Sequence, residues 1–141
     1  MAEVLDRQDI GQKLNILNTI QRQNGYDIEK IENGYAKVHY TLENAQHLEK
    51  KEIVYEADIY DVANFTALIA VNEQNCFTIS SAVDFLSQIE HSDKTMIFEA
   101  NVISSSMGKK YVEVQGTLDD IVLFMGNFTI LKLDNRSRIK V

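Results

Sequence analysis

The feature that most constrains the fold is an apolar run at residues 61–75, with the sequence DVANFTALIAVNEQN. Apolar side chains stand on too many sides of this run for a surface helix, and one amide, Asn64, lies in their middle. A helix that is apolar nearly all round has to be covered on most of its sides. We therefore predict a helix over about residues 58–73 that the rest of the chain encloses, with Asn64 inside it.

The segments around this helix have the patterns of strands. Before it, Asn33 and Gly34 predict a tight turn between two strands, because both residues accept positive φ at low cost. The short links between the later strands predict antiparallel neighbours and hence a meander. These later strands are four apolar, β-like runs at 76–86, 94–104, 109–118 and 121–133. An antiparallel sheet that curves around one helix would cover that helix, so the predicted fold class is α+β.

The length of 141 residues fits a single domain with its own core. We divide the chain into an N-terminal amphipathic helix at 1–24, a sheet-and-helix domain at 25–134 and a polar tail at 135–141. The first segment carries an apolar stripe that includes Leu14 and Leu17, and it lacks the apolar core of a signal peptide. We expect this stripe to pack within the same assembly.

Charge and cysteine content narrow the possible partners. The chain has 14 Lys and Arg against 21 Asp and Glu, a formal charge of -7. Because phosphate backbones and anionic lipids repel an acidic chain, we expect neither nucleic acid nor a membrane as partner. No stretch reaches the roughly 20 apolar residues of a membrane span. The single cysteine, Cys76, fits a reducing compartment, so we expect a cytoplasmic protein, and no residue spacing indicates a bound metal.

The order of elements over about residues 26–133 resembles the hotdog fold of acyl-CoA thioesterases and dehydratases. Four stretches carry the resemblance: ANFTALIAVN at 63–72, SSAVDFL at 80–86, SSSMGKKYVEVQG at 104–116 and FMGNFTI at 124–130. Small thioesterases of the phenylacetyl-CoA type have a similar central helix, a similar strand of small residues, a turn with Gly and two basic residues, and a late Gly-x-Phe strand. The resemblance implies a curved antiparallel sheet wrapped around one central helix.

The resemblance also implies a ligand site and an assembly. It implies an acyl thioester as ligand or substrate, no resident cofactor, and a site at the interface of a homodimer, possibly within a dimer of dimers. Such pairing covers a strand edge that a single subunit would leave exposed. By resemblance, the residues that contact the acyl group or CoA are Ala57, Phe65, Ser80, Ser81, Ala82, Lys109 and Lys110.

Two departures from the family pattern bear on catalysis. Those thioesterases carry Asp or Glu at the helix position of Asn64, whereas an amide can neither take a proton nor attack a thioester. The family's His-Gly-Gly before the helix is replaced by Tyr55-Glu56-Ala57, in which Glu56 is the best substitute base and Ala57 still offers an N–H. Asn64 and Glu56 are therefore the candidate catalytic residues. The ligand domain of the malonyl-CoA-sensing lipid repressor, which binds an acyl-CoA without turning it over, has a similar Ala-Asn pair in its helix.

Three functions stay open at this point. The chain binds an acyl-CoA or an acyl carrier with weak or no hydrolysis, or it is an active thioesterase, or it is a regulatory or interaction module with a closed pocket. The candidate residues also have structural interpretations. Asn64 would tie the helix to a strand, Lys109 and Lys110 would be solvated hairpin residues, and Glu56 would be a favourable charge at a helix start. The closed-pocket function predicts large side chains beside Asn64.

Overall fold

The computed structural model describes residues 25–48 and 52–133. Within these ranges the chain forms a six-stranded sheet, one α-helix and a short 3-10 turn at Leu42–Asn44. The strands are β1 (Tyr26–Glu32), β2 (Tyr35–Thr41), β3 (Cys76–Phe85), β4 (Thr95–Ser106), β5 (Lys109–Leu118) and β6 (Ile121–Lys132), and the helix is α1 (Glu56–Val71). The predicted α+β class is confirmed. The predicted helix at 1–24 and the predicted tail at 135–141 lie outside the described residues.

The sheet has the strand order β1-β2-β4-β5-β6-β3, and every neighbouring pair is antiparallel. The predicted meander is therefore right for β4, β5 and β6 and wrong for β3, which pairs with β6 rather than with β4. The connection at 86–94 is longer than the usual hairpin loop of two to five residues. It also passes the start of α1, where the N–H of Val54 donates to the carbonyl of Ile89 at 2.8 Å. In this path β3 lies at an edge of the sheet.

The helix α1 is enclosed as its sequence predicts. Most of its side chains are buried, and Val62 and Ile69 have no exposed surface. The helix ends at Asn72, whose left-handed backbone (φ 52) lets its N–H donate to the carbonyl of Leu68 at 3.0 Å. The helix α1 begins and ends two residues before the predicted range. It ends earlier because Asn72 stops the helix, although the apolar pattern continues as far as Asn72.

Three phenylalanines, Phe98, Phe124 and Phe128, are the largest fully buried side chains of the core. The rings of Phe98 and Phe124 lie 6.2 Å apart. Gly116 and Gly126 make room for these rings: a Cβ at Gly116 would lie 2.8 Å from Phe98 Cε2, and one at Gly126 would lie 2.9 Å from Phe128 Cε1. The late Gly-x-Phe pattern of the sequence is therefore a packing requirement, because a glycine has to face each ring.

The edge strand β1 carries a buried carboxylate. A bulge at Glu29 brings its side chain toward β2, where His39 Nε2 lies 2.6 Å from Oε1 and Lys37 Nζ lies 3.2 Å from Oε2. Burial alone would raise the pKa of Glu29, but the bonds with His39 and Lys37 outweigh burial and hold that pKa below its usual value. Glu29 is thus a structural anion that fixes the bulged strand to its neighbour.

Candidate functional site

Asn64 lies on the face of α1 that points toward the edge strand β3. The hydroxyl of Thr78, on β3, donates to Oδ1 of Asn64. One turn earlier on the same face, the hydroxyl of Tyr60 and Oγ of Ser81 are 2.8 Å apart and share a hydrogen bond. We call these four residues the helix–edge seam. Among residues 25–48 and 52–133, Thr78 is the hydrogen-bonding partner of the partly exposed Asn64 amide, and within these ranges its two N–H donors are left for another acceptor.

Tyr60 and Thr78 are not among the site residues predicted from the sequence. Two signals were present: Tyr60 precedes Asn64 by four residues, which places both on one helix face, and Thr78 follows Cys76 by two, which places both on one strand face. Neither signal says which strand the helix face meets. The structural interpretation of Asn64 as a tie between helix and strand is confirmed by the bond to Thr78. That bond involves the oxygen of the amide, so a contact between the Asn64 N–H donors and a ligand stays a prediction.

The predicted small residues Ser80, Ser81 and Ala82 are all exposed, and they lie in the middle of β3. The two edges of the sheet differ in charge. Four of the seven residues of β1 are charged, whereas Asp84 is the only charged residue among the ten of β3. Both edge strands contain a bulge, so the edges differ in charge. Because charges protect a strand edge from pairing, β3 is the edge that is better suited to accept another strand.

The two predicted lysines lie on opposite faces of the sheet. Thr78 of β3 pairs with Ile130 of β6, and Ile130 pairs with Lys110 of β5. Residues paired directly across strands share a face, and neighbouring strands are about 4.8 Å apart. Lys110 therefore lies about 10 Å from Thr78, on the helix side of the sheet. Lys109, the next residue along β5, points to the other face and is exposed.

The start of α1 has exposed Glu56 and Ala57 in its first turn, and no side chain caps it. The first N–H groups of a helix have no acceptor within the helix. The N–H of Asp58 donates to the carbonyl of Tyr55 at 3.0 Å, so among the described residues the N–H groups of Glu56 and Ala57 are the ones left for a ligand. The neighbouring carboxylates bind α1 to earlier segments of the chain. Asp58 accepts a hydrogen bond from the N–H of Gln46 at 2.6 Å, and Asp61 accepts one from the hydroxyl of Tyr26 at 2.6 Å. Burial and the bond to Asp61 raise the pKa of Tyr26.

A cavity of about 270 Å³ opens beside Glu56. We call it the helix-start cavity. Its polar lining consists of Glu56, Ser87 and Gln88, and its apolar lining consists of Leu48, Ile53, Val54, Ile59, Phe85 and Ile89. Asn64 is not part of this lining. The two candidate catalytic residues therefore face different surroundings within one chain, eight residues or about 12 Å apart along the helix axis.

The side chains of Phe65 and Cys76 both lie in the core. Phe65 is buried, and its ring lies 5.0 Å from that of Tyr26, on the side of α1 toward β1. A ligand contact by Phe65 stays a prediction. Cys76 is buried on the edge strand β3, and burial raises the pKa of its thiol to about 11.

The described part of the chain contains no group of three or more His, Cys, Asp or Glu side chains that could hold a metal ion. No helix in residues 25–48 and 52–133 is long and apolar enough to cross a membrane.

Comparison with known proteins identifies the fold. A variant of the HP0420 homologue from Helicobacter felis has a similar structure, with a TM-score of 0.79 and 27% sequence identity over 90% of this chain and 89% of that one. The PaaI protein of E. coli matches with a TM-score of 0.71 and 18% identity, over 78% of this chain and 80% of that one. The chain has the hotdog fold. The resemblance seen in the sequence is thereby confirmed at the level of the fold.

No protein-family model matches the chain. Among curated proteins, a methylthioribose-1-phosphate isomerase from Aquifex aeolicus (strain VF5) is 27% identical over 106 residues, which is 74% of this chain. The chain spans only 23% of that protein's length. This likeness therefore concerns one segment of the isomerase.

Proposed function

We propose that this hotdog chain binds an acyl thioester, either an acyl-CoA or an acylated carrier protein, and hydrolyses it weakly or not at all. The observation that carries the proposal is the arrangement of Asn64, whose oxygen accepts a hydrogen bond from Thr78 and whose N–H donors have no partner in the described part of the chain. A thioester carbonyl is an acceptor that suits such donors. An amide does not act as a base or nucleophile, so this position binds without driving hydrolysis.

The proposed functional unit is a homodimer in which two copies pair through β3. The support is the nearly uncharged edge of β3, in contrast to the charged edge of β1. Pairing there would bring Ser80, Ser81 and Ala82 of two copies together next to the helix–edge seam. The single buried thiol of Cys76 supports a reducing compartment, so we propose the cytoplasm as location.

Lys110 is the proposed contact for the phosphates of CoA. It is partly buried and shares a sheet face with Thr78, and its ammonium group is 3.5 Å from Oγ of Ser105. In a chain with a formal charge of -7, a cation near the seam is what an anionic ligand needs. The structural similarity to PaaI, which comes from an operon for phenylacetic acid degradation, supports a small organic acid as the acyl group.

The test combines binding and turnover. A thermal-shift series with CoA and acyl-CoAs should show stabilisation by some acyl-CoAs, about 2.7 kcal/mol at a hundredfold excess over the dissociation constant. In a thiol-release assay, the wild type should not exceed Asn64→Ala. Because a positioned base contributes about 10²–10⁴ in rate, Asn64→Asp should release thiol well above both.

Three results would contradict the proposal. If no acyl-CoA and no acylated carrier protein changes the unfolding temperature, the binding function is wrong. Strong thiol release by the wild type, lost in Asn64→Ala, would make the chain an enzyme. Light scattering that gives the mass of a single chain at working concentration would remove the proposed dimer.

An active thioesterase is the second candidate, and one observation favours it. Glu56 lies in the lining of the helix-start cavity, beside the N–H groups of Glu56 and Ala57 at the start of α1. A carboxylate there can act as a base on a water molecule, and the N–H groups can stabilise the oxyanion. Thiol release by the wild type that persists in Asn64→Ala and disappears in Glu56→Gln would establish this alternative. A closed, purely structural module is less well supported, because Asn64 is partly exposed and meets the small Thr78.

A further inference from the structure

A second cavity, of about 480 Å³, opens at the other end of α1, between the last turn of the helix and the turn that joins β1 to β2. We call it the helix-end cavity. Its lining consists of Ile31, Glu32, Asn33, Gly34, Ala70, Val71, Asn72 and Glu73. Neither Asn64 nor Lys110 is part of this lining, so an occupant of the helix-end cavity would be distinct from the acyl thioester.

The electrostatics of the helix-end cavity favour a cation. The carboxyl end of a helix carries a partial negative charge, and a positive side chain in the last turn stabilises it. The last turn of α1 has no basic residue, and the acidic Glu73 lies two residues beyond Val71, the end of the helix. On the facing turn, Glu32 adds a second carboxylate. A positive group in the cavity would therefore meet two carboxylates and the negative end of the helix.

Two lysines next to the cavity neutralise these carboxylates only in part. Lys132 Nζ lies 4.0 Å from Oε2 of Glu73. Lys30 Nζ lies 3.0 Å from Oε1 of Glu32. Both lysine side chains are about half exposed, so water screens the two pairs. Each pair involves one oxygen of the carboxylate, and a carboxylate can accept hydrogen bonds on both of its oxygens, so a further cation can bind to each.

The chain itself carries basic residues next to this cavity. The strand β6 ends at Lys132, and the N–H of Leu133 donates to the carbonyl of Asn75 at 2.9 Å. Asn75 is two residues beyond Glu73, so the end of β6 lies close to the wall of the cavity. The sequence that follows Leu133 is DNRSRIKV, at residues 134–141, which lie outside the described residues. It contains three basic residues and one acidic residue.

The spacing and the reach of these basic residues suit the cavity. Arg136, Arg138 and Lys140 are every second residue, so in an extended segment their side chains would lie on one side. Arg136 is three residues beyond Leu133. Because an extended chain spans at most about 3.6 Å per residue, the Cα atoms of these two residues are at most roughly 11 Å apart. The long arginine side chain adds reach, and its planar guanidinium group can donate to both oxygens of a carboxylate.

We propose that residues 134–141 dock in the helix-end cavity of the same chain, with Arg136 and Arg138 against Glu73 and the last carbonyl groups of α1. Glu32, on the facing turn, offers a further acceptor. The docked segment supplies the positive charge that the last turn of α1 lacks, so it stabilises the carboxyl end of the helix that carries Asn64. This inference does not rest on the proposed function.

The first test is amide NMR of the full chain with a nitroxide label on Ser137→Cys. This position alternates with the two arginines, so the label points away from the proposed contact. Cys76 is buried and stays unlabelled. At low salt the label should broaden the amide signals of Gly34 and Glu73. Salt at about 1 M should restore both signals, because the Debye length falls to about 3 Å.

Charge variants show whether the arginines hold the segment in the cavity. In Arg136→Gln/Arg138→Gln the broadening should be lost at low salt as well. Lys94→Gln/Lys109→Gln removes the same number of charges at exposed positions outside the lining, so it is the matched control and should leave the broadening unchanged.

The second test is thermal unfolding at low salt. Arg136→Gln/Arg138→Gln should lower the melting temperature by about 2–4 °C, and by less at high salt. In a Glu73→Gln background the same two substitutions should cost at most half as much, because one partner of the contact is already gone. In a Glu90→Gln background, at an exposed carboxylate outside the lining, they should cost as much as in the wild type.

Four results would overturn the proposal. The first is broadening that persists in Arg136→Gln/Arg138→Gln, and the second is a melting temperature that these substitutions leave unchanged at low salt. The third is broadening that disappears on dilution, which would show that another copy supplies the segment. The fourth is broadening of Gly34 and Glu73 by a label on Asn15→Cys and not by the label on Ser137→Cys, which would assign the cavity to residues 1–24.

Discussion

The replacement of Gly116 by alanine should destabilise the fold in a way that can be worked out from the core packing. A Cβ at this position would lie 2.8 Å from Cε2 of Phe98 and 3.2 Å from Cε of Met96. Favourable carbon contacts are about 3.5–4.0 Å, so the new methyl group would overlap the Phe98 ring by about 0.7 Å or more. Phe98 has no exposed surface and lies against the equally buried Phe124, so its ring has no space to move into.

The expected cost combines two opposing effects. Overpacking a well-packed core costs about 1–3 kcal/mol, and alanine gains about 0.5–1 kcal/mol over glycine within a strand. The net loss in the free energy of unfolding is about 1.5 kcal/mol. With an unfolding entropy of about 2 cal/mol/K per residue over 141 residues, the melting temperature of Gly116→Ala should fall by roughly 5 °C.

The assay is thermal and urea unfolding followed by circular dichroism, arranged as a double-mutant cycle. Phe98→Leu removes the atom that the new Cβ would meet, so the double variant should be more stable by about 1 kcal/mol than the sum of the two single losses. Gln115→Ala, at the exposed neighbouring position of β5, controls for strand propensity. The reasoning is refuted if Gly116→Ala is as stable as the wild type, or if the cycle is additive to within about 0.3 kcal/mol.

Two further predictions concern charges. Bonds with His39 and Lys37 lower the pKa of the buried Glu29 in the folded chain. The Glu29 carboxylate therefore stabilises the fold at pH values above its pKa in the unfolded chain, and this contribution is lost as the pH falls through its pKa in the folded chain. Glu29→Gln should therefore lower the free energy of unfolding by about 1–2 kcal/mol at pH 7. Urea unfolding at a series of pH values should show this difference between wild type and variant shrinking below pH 4.5, the ordinary pKa of the group. A difference that stays constant with pH would contradict the role of the ionised carboxylate. Lys110→Gln should weaken acyl-CoA binding about three- to tenfold in calorimetry at low salt and less at high salt, and Lys109→Gln should have little effect. Equal losses of affinity in both variants would show that the face of the sheet on which a lysine lies does not affect ligand binding.

The sequence alone determined the elements and their broad arrangement. The residues of α1 are apolar on nearly all sides, so the helix had to be enclosed, and Val112 and Val114 alternate with Glu113 and Gln115 in the way that a half-buried strand requires. These patterns are local, because they depend on periods of 3.6 and 2 residues along the chain. The order of motifs was enough to indicate the hotdog fold, which the structure confirms.

The tertiary structure decided which elements meet. The connection at 86–94 has a length compatible with either a hairpin or a crossover, and in the structure it crosses over, so that β3 lies at the edge beside β6. That placement brings Thr78 to Asn64 and aligns Lys110 with them on one face of the sheet. Such contacts join residues far apart in the chain, and they depend on strand pairing and register, about which the period of a single segment carries no information.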